Sequence, residues 1–219
     1  AMPSSPTLKS PERFKLIGRP TRRIDTPGKI DGSARFGIDA LPDGLLYASV
    51  KMCPTLGGRA QRHDDAAARQ RRGVKAVVAV PPLNGGTGGV AVIADHPWRA
   101  RQAADALDVT WDHGELATFS SSAALERIAQ AARTEKGFAF YETGEVDAAL
   151  AGAAQRIDAE YRAPWLAHAA LEPINCTVLF EGNKATVWVS TQVPGLARKA
   201  AADAMGLPAD AVTVNVMLL

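Results

Sequence analysis

The sequence has few of the residues that build stapled or metal-bound small domains. Only two cysteines, Cys53 and Cys176, occur among 219 residues, and they form no CxxC pair. A zinc ribbon or an iron–sulfur site therefore cannot be built from this chain alone. We expect both cysteines to be buried free thiols rather than partners in a disulfide, because lone cysteines usually behave as small buried hydrophobes.

Long apolar runs and a strong charge of either sign are also lacking. No apolar run approaches the roughly 20 residues of a membrane-spanning helix, and residues 1–10 lack the basic start and apolar stretch of a signal peptide. The 25 basic and 23 acidic residues give a formal net charge of +2. Charge therefore offers no argument for a nucleic-acid partner.

Aromatic residues are sparse, at 6%, while alanine is abundant and the hydrophobic fraction is 47%. This composition supports a folded core and favours helices packed on a sheet over a β-sandwich. The length allows one large domain or two small ones.

Residues 24–112 alternate strand-like and helix-like segments and follow a polar lead-in. We expect residues 1–11 to be disordered and Gly18–Gly32 to be an extended arm with turns. Alternation between strands and short helices predicts helices layered on a mixed sheet. The predicted strands are Ala34–Asp39, Leu45–Met52, Val74–Val80, Val90–Ala94 and Val109–Trp111, and the predicted helices are Asp64–Arg72 and Pro97–Leu107.

The second half of the chain predicts three more helices and three more strands. Ser121 or Ser122 is expected to cap the first of these helices, and Phe138–Tyr141 is expected to be short and extended. The first predicted helix ends at Ala132, and the other two are Val146–Ala151 and Gly195–Met205. The predicted strands are Ala153–Tyr161, Ala185–Ser190 and Ala211–Leu219, of which the last is expected to be buried.

Three sequence blocks carry a resemblance to a known family. They are Arg23–Asp39 (RIDTPGKIDG, then ARFGID), Ala167–Cys176 (AHAALEPINC) and Trp188–Gln192 (WVSTQ). In this order and spacing they resemble the large, molybdopterin-binding subunit of the xanthine dehydrogenase/aldehyde oxidase family, in its isoquinoline 1-oxidoreductase beta-subunit branch. The resemblance implies an α/β (α+β) fold with a lead-in at residues 1–23, an α/β-hammerhead domain at 24–115, and the first part of a molybdopterin-binding domain at 116–219.

The resemblance also implies a function and a set of partners. These are oxidative hydroxylation of an aldehyde or N-heteroaromatic carbon with oxygen from water, and electron transfer to a [2Fe-2S] small subunit, with a cytochrome c as a candidate acceptor. Molybdopterin is expected only in the complete enzyme, because the family's Gly-Gly-Gly-Phe-Gly loop and catalytic glutamate do not occur here. We therefore expect an inactive internal piece or split-gene product, located in the periplasm or alternatively the cytoplasm.

Gln192 is the residue for which the resemblance implies the most specific role. In the family, a glutamine after this strand donates a hydrogen bond to an oxygen ligand on molybdenum. A carboxamide can stabilise charge on that oxygen without adding a competing charge. The alternative is a glutamine that ends a strand and caps the following helix.

His168 and Glu172 are the next candidates, as residues near the substrate pocket. They lie four apart, so a helix would place both on one face. That spacing is compatible with an acid/base pair and with two ligands of a metal ion, although two ligands alone do not make a metal site. The structural alternative is that Glu172 and Asn175 fix loop backbone by hydrogen bonds.

Two further patterns favour structural roles. The glycine-rich run at residues 84–89 lacks the lysine and following helix of a phosphate loop, which favours a hairpin connection. The basic residues Arg59, Arg62, Arg69, Arg71 and Arg72 have no interleaved aromatics, which favours a solvated face over a nucleic-acid site, with docking to a partner as the alternative.

A function outside catalysis also stays open. The chain could be a non-catalytic docking or assembly module, or a free-standing small-molecule binding domain. A stable complex with a second chain that restores activity favours the split enzyme, whereas a thermal shift with ligand alone favours the binding domain.

Overall fold

The computed structural model describes residues 5–83 and 85–218. Three predictions extend beyond these ranges: the disordered lead-in at residues 1–4, the glycine-rich run at Asn84 and the last strand at Leu219. Those positions lie outside the described residues.

Helices and strands alternate through most of the chain, as the sequence predicted. The α-helices are α1 (Thr26–Asp31), α2 (Ala66–Arg69), α3 (Pro97–Asp105), α4 (Ser121–Thr134), α5 (Val146–Ala151) and α6 (Pro194–Met205). The strands are β1 (Tyr47–Met52), β2 (Arg59–Asp64), β3 (Val74–Val80), β4 (Gly89–Ala94), β5 (Asp108–Asp112), β6 (Cys176–Glu181), β7 (Lys184–Val189) and β8 (Val212–Val216).

The chain forms two compact units. The central unit comprises Asp43–Ala169, and the terminal unit comprises the described residues within Ala1–Pro42 and Ala170–Leu219. This division by contacts differs from the domain boundaries inferred from the resemblance, which stay a prediction.

The central unit is built on two antiparallel sheets. One has the order β1-β4-β3, and the other pairs β2 with β5. The predicted sheet was mixed, but these pairings are all antiparallel. Strand β4 is buried over nearly its whole length, as its run of Val and Ala residues requires for a central strand.

The core of the central unit lies between β4 and helix α3. Ala100, Ala103 and Ala104 form the buried face of α3, at the helical spacing that predicted it. The buried cluster contains Ala68, Val90, Val92, Ala103, Ala104 and Leu107. Alanine on the helix allows its backbone to approach the sheet closely, so the valines of β4 are fully covered.

The terminal unit has a three-stranded sheet of order β6-β7-β8, with α6 on one face. Strand β6 runs antiparallel to β7, whereas β8 runs parallel to it, and α6 is the crossover between the two parallel strands. The buried cluster is small: Ala185, Val187, Ala202 and Val212. The last strand was predicted to be buried, but only Val212 of β8 is.

The predicted extended arm was partly wrong. Thr26–Asp31 is helical, with Pro27 in its first turn and Gly32 as a left-handed end at φ 80°. The predicted strand Ala34–Asp39 is instead a single parallel bridge between Phe36 and Leu218, followed by a 3₁₀ turn at Gly37–Asp39. Asp39 causes that turn, because its carboxylate accepts the Phe36 amide hydrogen at 2.9 Å.

The predicted strand Ala153–Tyr161 was also wrong. This segment has no ladder partner among the described residues, and ion pairs from Glu160 and Arg162 hold it along α4. Phe138–Tyr141 likewise forms no regular element, and β2 and β6 were not predicted at all. An alternating pattern specifies a strand only where another strand is available to pair with it.

The finer expectations had mixed outcomes. Val74–Val80 is a strand with those bounds, and Val80 pairs with Gly89, so the glycine-rich run belongs to a hairpin connection. The prediction that Ser121 or Ser122 caps α4 was wrong, because the Ser120 hydroxyl accepts the Ala123 amide hydrogen at 3.3 Å. Both cysteines are free thiols, but only Cys53 is buried. Within residues 5–83 and 85–218, the helices are too short or too polar to cross a bilayer.

Candidate functional site

The candidate site is the edge of the terminal sheet where parallel strands β7 and β8 end. Gln192 lies three residues beyond Val189, between the end of β7 and the start of α6, and is exposed. In sheets with parallel strands, ligands bind beyond the carboxyl ends, where loops turn into helices. The fold therefore places Gln192 at a position suited to contact a ligand.

Helix α6 begins at this same edge without a side-chain cap. Its N-cap is Val193, Pro194 occupies the first turn, and no side chain accepts a hydrogen bond there. The alternative role of Gln192 as a helix cap is thus not realised. Pro194 has no N–H, and the Leu196 amide donates to the Val193 carbonyl at 3.0 Å. The first turn therefore offers a ligand the Gly195 amide, at the positive end of the helix dipole.

Two hydrogen bonds tie the chain before Gln192 to the chain after β8. The Met217 amide donates to the Val189 carbonyl at 3.1 Å. The Ser190 hydroxyl donates to the Leu218 carbonyl at 2.9 Å. Thr191 then accepts the Val193 amide hydrogen at 3.1 Å, which shapes the turn into α6. The Gln192 backbone is consequently fixed by its neighbours while its side chain stays accessible.

His168 lies in an irregular, exposed segment. Residues 161–175 contain no helix, so the condition under which His168 and Glu172 would share a helical face is not met. Ala169 turns the chain directly after it, with a left-handed φ of 49°, uncommon for a residue with a Cβ. The role of His168 near a substrate pocket stays a prediction.

Glu172 is half-buried and its carboxylate contacts backbone. Its Oε1 accepts hydrogen bonds from the Ile38 amide at 2.9 Å and from the Asn175 carboxamide at 2.7 Å. Asn175 also donates to the Pro173 carbonyl at 2.9 Å. Glu172 and Asn175 therefore fix loop backbone by hydrogen bonds, which is the structural alternative that the sequence left open for them. The role of Glu172 near a substrate pocket stays a prediction.

Two open clefts lie in the central unit. One of about 510 Å³ is lined by residues that include Arg59, Asp112 and Leu116, and another of about 290 Å³ includes Arg62, His63 and Asp108. Neither contains Gln192, His168 or Glu172. The Gly114 amide and the Arg59 guanidinium lower the pKa of Asp112, so this cleft holds an ion pair at neutral pH.

The basic residues are partly neutralised within the central unit. Arg59 pairs with Asp112, and Arg69 pairs with Asp65, which lowers the pKa of Asp65. Two of the five arginines are thus paired, and the choice between a solvated face and docking to a partner stays a prediction. Cys176 is exposed overall, but partial desolvation raises the pKa of its thiol, which makes it a poor nucleophile at neutral pH.

The donors at the β7 edge match a ligand that presents oxygen atoms and negative charge. The Gln192 carboxamide and the Gly195 amide at the start of α6 can each donate a hydrogen bond to such a ligand. Over the described ranges, His, Cys, Asp and Glu side chains form no group of three or more that could hold a metal ion. A metal at this edge would have to bring its own ligands, as it does when a cofactor carries it.

Comparison with known proteins agrees with this chemistry. Residues 129–218 match the family described as molybdopterin cofactor-binding domain. The chain is 29% identical over 221 residues to isoquinoline 1-oxidoreductase subunit beta of Brevundimonas diminuta, covering 97% of this chain and 28% of the relative. It is 32% identical over 201 residues to the membrane-bound aldehyde dehydrogenase [pyrroloquinoline-quinone] of Gluconacetobacter polyoxogenes, covering 87% of this chain and 26% of the relative.

A solved structure supports the fold. The aldehyde oxidoreductase of Desulfovibrio gigas superposes with a TM-score of 0.63 at 17% identity, covering 89% of this chain and 26% of that protein. The chain therefore spans between a quarter and a third of the length of each of these three proteins.

Proposed function

The chain belongs to the molybdopterin-binding subunits of the xanthine dehydrogenase/aldehyde oxidase family, and we propose that it acts as one part of a molybdenum hydroxylase. The proposed reaction is oxidative hydroxylation of an aldehyde or an N-heteroaromatic carbon with water as the oxygen source. The observation that carries the proposal is the exposed Gln192 at the carboxyl edge of β7, inside the segment that matches the cofactor-binding family.

The chain's own contribution is to bind and orient at that edge. When bound, the molybdenum cofactor supplies the two-electron oxidation of the substrate carbon. The Gln192 carboxamide would donate a hydrogen bond to an oxygen of the cofactor, which stabilises negative charge there and adds no titratable group. The amino end of α6 would favour negative charge at the same place.

Exposed apolar side chains support a further polypeptide that completes the site. Phe140 and Tyr161, for example, are 96% and 93% exposed. We propose that the remaining part of the molybdenum subunit covers this surface and supplies the general base.

Two partners complete the proposed enzyme. Electrons would leave through a [2Fe-2S] small subunit, with a cytochrome c as a candidate acceptor. We place the enzyme in the periplasm, with the cytoplasm as the alternative, and fractionation of cells that express the complete enzyme distinguishes the two.

Metal and pterin analysis tests this function. The purified chain alone is expected to carry neither molybdenum nor pterin and to show no turnover. The chain co-expressed with the rest of the molybdenum subunit is expected to carry both. Stoichiometric molybdenum on the isolated chain would contradict the proposal that cofactor binding needs the remaining part of the molybdenum subunit. A folded chain that never acquires molybdenum in the complex would be a docking or small-molecule binding domain instead.

A further inference from the structure

The segment Phe36–Asp39 is held to the terminal sheet from two sides. On one side, Phe36 forms a parallel bridge with Leu218, just beyond the end of β8. On the other, the Ile38 amide donates a hydrogen bond to Glu172, which lies in the loop just before β6. The segment thus connects the entry of the first strand of the sheet to the exit of the last.

The contact with Glu172 is closely packed as well as hydrogen-bonded. Gly37 is buried, and a Cβ built on it would overlap the Asn175 carboxamide. Asn175 in turn orients Glu172 by donating to the same Oε1 that receives the Ile38 amide. Replacing Gly37 with a larger residue, or Glu172 or Asn175 with a shorter one, would open this contact.

Glu172 Oε2 and Asn175 Oδ1 are buried acceptors with no donor in the described part of the chain. A carboxylate used for proton transfer needs a path to the group it serves, whereas a carboxylate used as an acceptor needs only its hydrogen-bonded oxygen. Replacing Oε2 with an NH₂ group therefore separates the two roles. The amide keeps one acceptor oxygen, replaces an unpaired acceptor with a donor, and cannot take up a proton.

The bridge on the other side connects the segment to the candidate site. Leu218, the partner of Phe36, also accepts the Ser190 hydroxyl at 2.9 Å, and Ser190 lies two residues before Gln192. Displacement of Phe36–Asp39 would remove one neighbour of Leu218 and so weaken the support of the Ser190–Leu218 hydrogen bond, one of the two anchors of the turn carrying Gln192. The second anchor, from Met217 to Val189, would remain.

We propose that Glu172 is a positioning residue: with Asn175 it clamps Phe36–Asp39 to the sheet and so holds Leu218, Ser190 and the Gln192 turn in place. The clamp is a property of this chain, and only its effect on turnover rests on the function proposed above. It assigns Glu172 a backbone partner rather than a substrate.

Hydrogen exchange of the full chain tests the clamp without any cofactor. In Glu172→Ala, exchange of the Ile38 amide is expected to be about tenfold faster, the effect of losing one hydrogen bond. Glu172→Gln is expected to keep exchange within about twofold of the unchanged chain, because it retains the acceptor. Glu181→Ala, an exposed acidic position at the end of β6, is the matched control and should leave Ile38 unaffected. Unchanged Ile38 exchange in Glu172→Ala would overturn the clamp.

If Glu172→Ala does not fold, Gly37→Ala provides a second route. Overlap with Asn175 should speed Ile38 exchange while both acidic and amide side chains are still present. Protection of Ile38 equal to that of the unchanged chain would contradict the packing.

The complete enzyme tests the consequence for catalysis. Glu172→Gln is expected to recover most of the turnover that Glu172→Ala loses, and the pH profile of kcat should keep its shape. A Glu172→Gln enzyme with protected Ile38, normal molybdenum content and abolished turnover would show that Glu172 transfers a proton. If molybdenum is never acquired by any variant, the proposed function fails while the exchange result still decides the clamp.

Discussion

The central and terminal units bury their apolar surface to very different extents. In the central unit, β4 lies between β1 and β3 and is covered by α3, so Val90 and Val92 are fully buried. In the terminal unit, α6 covers β7 and part of β8, while Val178 and Phe180 on β6 remain 45% and 53% exposed. The scaffold-like core and the candidate site therefore belong to different units. The edge that presents Gln192 is in the unit with the smaller core, where a further layer of protein could add both stability and the rest of the site.

The largest effect is expected from truncation in the central core. Val92→Ala removes buried methyl groups under α3 and should lower the free energy of unfolding by about 2 kcal/mol. Val78→Ala, on the neighbouring strand and 46% exposed, is the matched control and should cost less than half as much. Chemical denaturation measures both. Equal losses would contradict the assignment of the core to the α3 face.

A smaller loss is expected for the same change in the terminal unit. Val187→Ala should cost about 1–2 kcal/mol, because the cluster around it is small and can relax toward solvent. The exposed Val178, opposite Val187 on β6, is the control when changed to Ala. Hydrogen exchange should show the loss in β6–β8 and not in β1, β3 and β4. A uniform loss across both units would show that they unfold together.

The end of α6 provides a still smaller effect. Gly206 ends the helix with φ 65°, so Gly206→Ala should destabilise the terminal unit by about 1 kcal/mol. Gly195→Ala, near the start of the helix with open space around it, should be neutral or slightly stabilising. Thermal melts of the two variants check this contrast, and a destabilising Gly195→Ala would contradict the helix start.

The smallest effect is expected at the surface cluster that holds residues 153–162 along α4. Hydrogen bonds from Arg162 and Arg133 lower the pKa of Glu160 from its ordinary 4.5. Because the pKa of Glu160 is lower in the folded chain than in the unfolded chain, its ion pairs stabilise the fold at pH values above the unfolded pKa. This stabilisation is lost as the pH falls through the folded pKa. Denaturation midpoints of the unchanged chain and Glu160→Gln should differ slightly at pH 7 and converge well below pH 4.5. A difference that grows on acidification would contradict the ion pairs.

The sequence predicted some elements of the fold correctly and others wrongly, even within the central unit. Val74–Val80 and the alanine face of α3 were predicted because burial on one face produces a regular pattern in the sequence. Ala153–Tyr161 has a strand pattern but no partner strand among the described residues, so local pattern gave the wrong element. The contact between Ile38 and Glu172 joins residues 134 apart, which no periodicity encodes. Gln192 was identified from the resemblance, and its position after a strand was predicted. The fold added that this strand, β7, has a parallel neighbour, β8, so that Gln192 lies at the carboxyl edge of the pair.

The electron paramagnetic resonance spectrum of molybdenum(V) in the complete enzyme tests the central claim most directly. Gln192→Ala is compared with Thr186→Ala, a half-buried position within β7, at equal molybdenum and pterin content. If Gln192 donates a hydrogen bond to an oxygen of the cofactor, its removal shifts the g-values while Thr186→Ala leaves them unchanged. Identical spectra for Gln192→Ala and the unchanged enzyme, with full metal content, would show that this edge does not face the molybdenum.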